Sequence, residues 1–171
     1  MAAARNVISG TVSTAGQFNG DGVVVHGEGT VVQGNRVGTD VDGVLSIGNG
    51  RGIVVAGANS TIGGAAPGAR NIVSGNVGLG IELAGVDATG NIIEHNYIGV
   101  DGGGTAALPN GSDGVYVGPT VTGNTIGPGN VVSGNTWSGI SILSTGTTVA
   151  GNYIGTSADG TGAVGNGQHG V

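Results

Sequence analysis

The hexamer NIVSGN at residues 71–76 returns as NVVSGN at residues 130–135, and NVISGT at residues 6–11 is a third copy that ends in Thr11. The copies lie roughly 60 residues apart, and internal periods of this size mark repeat architectures. Two further motifs recur around the hexamer in a fixed order. GNRVGTD at 34–40 is echoed by HNYIGVD at 95–101 and GNYIGTS at 151–157. Gly followed by alternating apolar residues appears as GVVV from residue 22, GIVV from 52, GIEL from 80, GVYV from 114 and GISI from 139, with a shortened GV at 170–171. These Gly-led starts recur about every 30 residues, so two units of different kind make one period of the hexamer. In one kind an insert precedes the Asn-Ile strand, as in STIGGAAPGARNIVSGNVGLGIEL at 60–83. In the other it follows, as in NIIEHNYIGVDGGGTAALPNGSDGVYV at 91–117.

Composition says what such units can build. The chain holds 24 Val and 13 Ile but one Phe, one Trp and three Tyr. β-branched side chains lose little freedom on a pleated strand. Glycine, 41 of 171 residues, interrupts nearly every window in which a helical period could run. No Gly-X-Y period is present, which excludes collagen. The aliphatic content and the 8% of charged residues exclude a disordered chain. Strands are the regular structure on offer. Each unit supplies three of them, placed in NTIGPGNVVSGNTWSGISI around residues 125–126, 131–133 and 140–142.

Three strands too short to bury themselves can stack coil on coil, each rung bonding to its neighbours at ~4.8 Å. The inward residues of the Gly-led strands are then Val23 and Val25, Ile53 and Val55, Ile81 and Leu83, Val115 and Val117, and Ile140 and Ile142. About six coils give a rod roughly 29 Å long. Asn35, Asn76, Asn96, Asn124, Asn135 and Asn152 each follow a strand, usually after Gly. Asn tolerates the left-handed backbone of a tight bend, and Asn at one bend of successive coils can form a hydrogen-bonded ladder.

ARNVISG, GNRVGTD, STIGGAAPGARNIVSGN and GNYIGTSADGTGAVGNG resemble the repeats of right-handed parallel β-helix proteins of the pectate-lyase-like superfamily. They are most similar to the Gly/Asn-rich segments of bacterial secreted and surface proteins. The resemblance covers nearly the whole chain, and the first coil departs from it, because TVSTAGQFNGD lengthens the link after NVISG and Thr11 replaces a bend Asn. It implies an all-β fold and an extracellular or bacterial-surface setting. It leaves activity open, since that superfamily holds lyases, hydrolases, epimerases, adhesins and passive stalks.

The outward column of the Gly-led strands is the place to look for chemistry. Its members are Val24, Val54, Glu82, Tyr116 and Ser141. A glycosidase needs two carboxylates about 5–9.5 Å apart, and Glu82 has Val54 and Tyr116 as its column neighbours. A polysaccharide lyase would want a basic residue beside acidic calcium ligands. No lysine is present, and Arg5 and Arg70 belong to the repeated ARN element. Glu94-His95 is an acid/base or ligand pair on one reading and surface variation at a tolerant bend on the other, with His95 in the place of a bend glycine. His26 and His169 read as solvent residues. Asp40, Asp42, Asp101 and Asp159, in GTDVDG, GVDGGG and GTSADG, offer hard oxygen ligands to calcium. The alternative for Asp40, Asp101 and Asp159 is an Asx-turn with nearby backbone N–H groups. Tyr97, Tyr116, Tyr153 and Trp137 could stack on sugars, with Tyr116 and Trp137 as the candidate ligand residues, or serve local packing.

The four arginines stand against ten carboxylates, and the net charge of −6 argues against nucleic acid and anionic membranes. Zero cysteine excludes disulfides; no 18-residue apolar run offers a bilayer span, and MAAARN lacks a signal peptide's hydrophobic stretch. Residues 1–171 read as a single β-helix domain cut from a longer array. The chain starts within a unit, stops two residues into a strand, and shows no polar cap. Open rungs of that kind invite head-to-tail stacking of copies. The resulting expectation is a non-catalytic stiff rod or adhesin-type repeat, needing no cofactor. Its alternative is a polysaccharide-binding or polysaccharide-cleaving β-helix that uses Glu82, Glu94, His95 and Tyr116.

Overall fold

A computed structural model describes residues 5–11 and 20–171. The described strands, in chain order, are β1 (Val7–Ile8), β2 (Asp21–Val25), β3 (Val31–Val32), β4 (Arg36–Val37), β5 (Arg51–Val55), β6 (Thr61–Gly63), β7 (Ile72–Val73), β8 (Ile81–Leu83), β9 (Ile92–Glu94), β10 (Tyr97–Ile98), β11 (Val115–Val117), β12 (Thr125–Ile126), β13 (Val131–Val132), β14 (Ile140–Ile142), β15 (Thr148–Val149) and β16 (Tyr153–Ile154). Every third strand returns to the same sheet. The first sheet runs β1-β4-β7-β10-β13-β16, the second β2-β5-β8-β11-β14 and the third β3-β6-β9-β12-β15, all parallel. The sixteen strands make five full coils and one strand of a sixth, slightly fewer than the six coils the repeats suggest. No helix is present among the described residues.

The interior is built from stacked rows. Ile53, Ile81, Val115 and Ile140 pair in register along the second sheet and are fully buried. Val55, Leu83 and Val117 form the next row inward on the same strands. The first sheet adds Val37, Val73, Ile98 and Val132, and the third Ile62, Ile93 and Ile126, all in one cluster. Each fully buried aliphatic contributes about 1.5–3 kcal/mol relative to exposure.

Asparagine ladders hold the corners, in a different arrangement from the single column expected. Asn35, Asn96 and Asn152 lie before the first sheet, Asn76 and Asn135 after it, and Asn124 before the third. Other asparagines fill the rungs between. Before the first sheet the ladder is Asn6, Asn35, Asn71, Asn96, Asn130 and Asn152, each amide donating to the next Oδ1 at 2.8–3.1 Å. After it run Asn49, Asn76, Asn110, Asn135 and Asn166, at 2.9–3.1 Å. The second amide hydrogen bonds a strand carbonyl of the coil below, as Asn96 does with Ile62. Thr11 closes the lower end of the second ladder through its backbone, its N–H donating to Asn49 Oδ1 at 3.0 Å. These asparagines are not the left-handed residues. For Asn35, Asn76, Asn96, Asn124, Asn135 and Asn152 the positive φ falls on the residue before, as in Gly34 at 69°, Gly75 at 72° and Gly134 at 73°.

The hexamer copies dock the inserts. Coils two, four and six carry inserts at 38–48, 99–109 and 155–165, each closed by an antiparallel bridge: Thr39 with Ser46, Val100 with Ala107 and Thr156 with Ala163. The hexamers lie on coils one, three and five. Ser9, Ser74 and Ser133 donate to the carbonyls of Thr39, Val100 and Thr156 at 2.7, 2.7 and 2.8 Å. The N–H groups of Gly10, Gly75 and Gly134 donate to Ile47, Leu108 and Val164. A Cβ on Gly75 would come within 2.8 Å of the Gly38 carbonyl, so the close approach requires glycine. The inserts also bond to each other, Gly102 N–H to Gly43 and Ala158 N–H to Gly104, both at 2.8 Å. A two-limbed insert is about two strand spacings high, so successive inserts fill the layer when only alternate coils carry one. That is the physical origin of the longer period: one coil bears an insert and its neighbour bears the dock.

Candidate functional site

The outer face of the first sheet is covered. Ile72, Tyr97 and Val131 point away from the solenoid, yet they are buried with Val100 beneath the inserts in a second apolar cluster. Tyr153, equivalent to Tyr97 and separated from it by Val131, is more open.

No insert among the described residues folds over the outer face of the second sheet; Val54 is buried there, and beside it lies a groove of about 360 Å³, lined in part by Arg51, Leu79, Glu82, Asp113, Tyr116 and Trp137. Glu82 and Tyr116 are in register on β8 and β11, with Val54 below and Ser141 above. Arg51 organises the lower wall. It pairs in register with Asp21 and grips that carboxylate with two bonds, Nε to Oδ1 at 2.7 Å and Nη2 to Oδ2 at 2.9 Å. Its Nη1 donates to Glu82 Oε2. The hydrogen bond it donates to Asp21 pushes the Arg51 pKa further up; burial opposes this and the nearby Glu82 charge reinforces it. Asp113 Oδ1 accepts the Ser138 N–H at 2.9 Å. Glu82 and Asp113 therefore line one groove, each with a partner that fixes it. Such an arrangement presents acceptors and an apolar wall to a ligand. Trp137 is 52% exposed at the upper rim.

Asp21, Arg51, Leu79 and Asp113 are the site residues that reading the sequence missed. Each immediately precedes a Gly-led strand, so aligning that position across coils would have paired Asp21 with Arg51.

Glu94 and His95 lie elsewhere. Glu94 ends β9, in register with Gly63 of the third sheet. His95 has φ 55° where Gly34 and Gly151 have 69° and 67°, so it occupies a glycine bend. Its Nδ1 is buried without a partner, 3.7 Å from Glu94 Oε2, beyond hydrogen-bond reach. Glu82 and the Glu94-His95 pair thus do not share a site. His26 and His169 are exposed.

The insert carboxylates face their own turns. Asp40 Oδ1 accepts the Val44 and Leu45 N–H groups at 2.8 and 3.0 Å, and these bonds lower its pKa, the Leu45 bond most. Asp101 Oδ1 accepts Thr105 and Ala106 at 2.7 and 3.1 Å. In the third insert Ser157 takes the equivalent place and Asp159 lies two residues on. Asp159 accepts the Ser157 hydroxyl and the Thr161 N–H and hydroxyl, which bring its pKa down to about 2. The Asp42 carbonyl is 3.4 Å from Arg36 Nη2. Among the described residues no three His, Cys, Asp or Glu side chains are grouped to hold a metal ion.

Three parallel sheets wound in one continuous spiral, with short strands stacked in register, define a parallel β-helix. Comparison with known protein families, curated proteins and solved structures finds no match to the chain.

Proposed function

We propose that the protein is a non-catalytic structural β-solenoid, a stiff rod of the kind found in bacterial secreted and surface proteins, and that it works outside the cell. The observation that carries this reading is the unbroken asparagine ladder through six successive rungs of one corner. Its four inner members, Asn35, Asn71, Asn96 and Asn130, are buried, and the ladder stiffens the backbone where a solenoid would otherwise hinge. The repeats' resemblance to pectate-lyase-like β-helices supports the reading at the level of architecture. The partnered state of Glu82 and Asp113 supports the absence of catalysis. Incubating the protein with a panel of polysaccharides, and assaying for new reducing ends and unsaturated products, tests it; release of either makes the protein an enzyme.

Such a rod can also extend by pairing. Parallel rungs bonded edge to edge can be continued head to tail, a further rung being supplied by a second copy. Light scattering across concentration checks this: a strictly monomeric mass at high concentration rejects stacking. No cofactor is needed. A rise in melting temperature on restoring calcium after chelation would instead assign the Asp40, Asp42, Asp101 and Asp159 loops to calcium.

A second reading, polysaccharide binding, is favoured by the half-exposed Trp137 beside Tyr116 and Leu79 in one groove. Trp137 is the single tryptophan of the chain, so its fluorescence reports this groove directly. Saturable quenching by an oligosaccharide supports binding, and its absence across the same panel removes it.

A further inference from the structure

Three of the four arginines gather where the first sheet meets the corner before it. Arg5 and Arg70 stand immediately before the ladder residues Asn6 and Asn71, and the coil between them has Gly34 at that place. With no side chain at Gly34 in the way, Arg5 reaches past it, and its Nη1 donates to the Arg70 carbonyl at 3.0 Å. Arg70 Nε donates to the His95 carbonyl at 3.0 Å, and its guanidinium lies over the Tyr97 ring, 4.0 Å from the centroid. Arg36 stands between Val7 and Ile72 in the outer row of the first sheet, with its Nε buried and unpartnered.

Among the described residues no carboxylate lies within 4.0 Å of these three side chains, whereas Arg51 alone holds two. Arg5 Nη2, Arg36 Nη1 and both Nη groups of Arg70 make no hydrogen bond to the described residues. The Arg5 pKa is lowered, first by burial and then by repulsion from Arg36 and Arg70. In a chain with ten carboxylates, the positive charge of this cluster is left without a counter-ion.

We propose that Arg5, Arg36 and Arg70 form a binding site for a small oxyanion, sulfate or phosphate, carried free or as a single ester on a larger ligand. Guanidinium groups present paired donors that match the oxygens of such an anion. Arg5 and Arg70 are already tied to backbone carbonyls, and Arg70 is braced on Tyr97, so little freedom is lost on binding. The net charge of −6 repels long polyanions, which is why the occupant is a single group and not nucleic acid or an anionic membrane.

The test follows the side-chain Nε–H resonances of all four arginines in the full chain. Sodium sulfate, sodium phosphate and glucose 6-sulfate, a single sulfate ester, are titrated against sodium chloride of equal ionic strength. Saturable shifts at Arg5, Arg36 and Arg70, with Arg51 unmoved, are expected. Sulfate affinity should fall about tenfold in R5Q and in R36Q, and stay unchanged in R51Q, since a charge-assisted bond is lost only in the first two. Saturation by free sulfate identifies a free-ion site; saturation only by glucose 6-sulfate identifies an ester site. Shifts that grow linearly as in chloride, or an affinity unchanged in both R5Q and R36Q, overturn the proposal. Arg70→Gln is avoided because it also removes the Tyr97 contact.

Discussion

Tyr97 and Tyr116 belong to one coil, both point away from the solenoid, and they meet opposite fates. Tyr97, on the first sheet, is 8% exposed beneath the inserts and carries Arg70 on its ring. Tyr116, on the second sheet, lines an open groove. The strands that bear them are both short, two and three residues, and both in register with their neighbours. What differs is the connection that follows. After β10 the chain throws an insert that folds back over its own sheet; after β11 it does not. The lesson is that this β-helix has two cores, one wound inside the coil and one trapped under the inserts, and only the inner one follows from strand alternation.

The sharpest way to break the comparison is to truncate both tyrosines. Tyr97→Ala should cost about 3–5 kcal/mol, the range for removing a large buried ring, because the insert cannot collapse onto a strand held in register. Tyr116→Ala should stay within about 1 kcal/mol, as expected at a partly open surface. Urea denaturation of the two variants checks this. Equal losses would mean that the insert layer contributes nothing to stability.

Next in size is the dock itself. Ser74 Oγ donates to Val100 and accepts the Gly99 N–H, and it is fully buried. Ser74→Ala leaves the Val100 carbonyl unpartnered, at about 1–3 kcal/mol, while the Gly99 N–H keeps the Val73 carbonyl at 3.2 Å. The loss should be local. Amide exchange should quicken in residues 99–109 while β8 and β11 keep their protection. Uniform acceleration along the coil would show that insert and solenoid open as one unit, and the two-core description would fail.

A smaller effect is expected on the outer face of the second sheet. Arg51→Gln breaks the bonds to Asp21 and Glu82, but these groups are partly exposed and water replaces much of what is lost, so the cost should be under about 1 kcal/mol. A loss as large as that of Ser74→Ala would mean that the second sheet needs its outer face as much as the first does.

These differences also explain what the sequence could and could not disclose. Ile53, Ile81, Val115 and Ile140 are legible as one interior row because a Gly-led alternating strand has a single face to bury. Ile72 and Val131 are not legible as core, because the same alternation assigns them to solvent and nothing in their own strands announces a cover. The cover lies in GTDVDG and its two echoes, whose aspartates invite a metal reading until their oxygens are seen bonding the turn's own N–H groups. GN pairs mark bends well but do not say which bend, so asparagines of three corners read as one column. The groove was half legible. Glu82 and Tyr116 fall in a visible column, while Asp21 and Arg51 meet only because one coil length sets them side by side. The arginine cluster is not legible because the ARN element marks Arg5 and Arg70 as parts of a repeat, and a repeated residue can still assemble a surface.

The smallest effect separates the inserts from one another. Asp159 is fully exposed, yet its pKa is held at about 2 by the Ser157 hydroxyl first and by Thr161 after it. Its folded value lies below the ordinary 3.8, so its contribution to stability is present above that value. As pH falls toward about 2 the carboxylate is protonated and the contribution disappears. The Thr161 N–H, donated to Asp159 Oδ1 at 3.0 Å, should therefore titrate with a midpoint near 2 in the intact protein. In Ser157→Ala the midpoint should move up, because the largest cause of the shift is gone. A midpoint at the ordinary carboxylate value in the unaltered chain would show that the third insert, the one with serine where the others have aspartate, does not close its turn through Asp159.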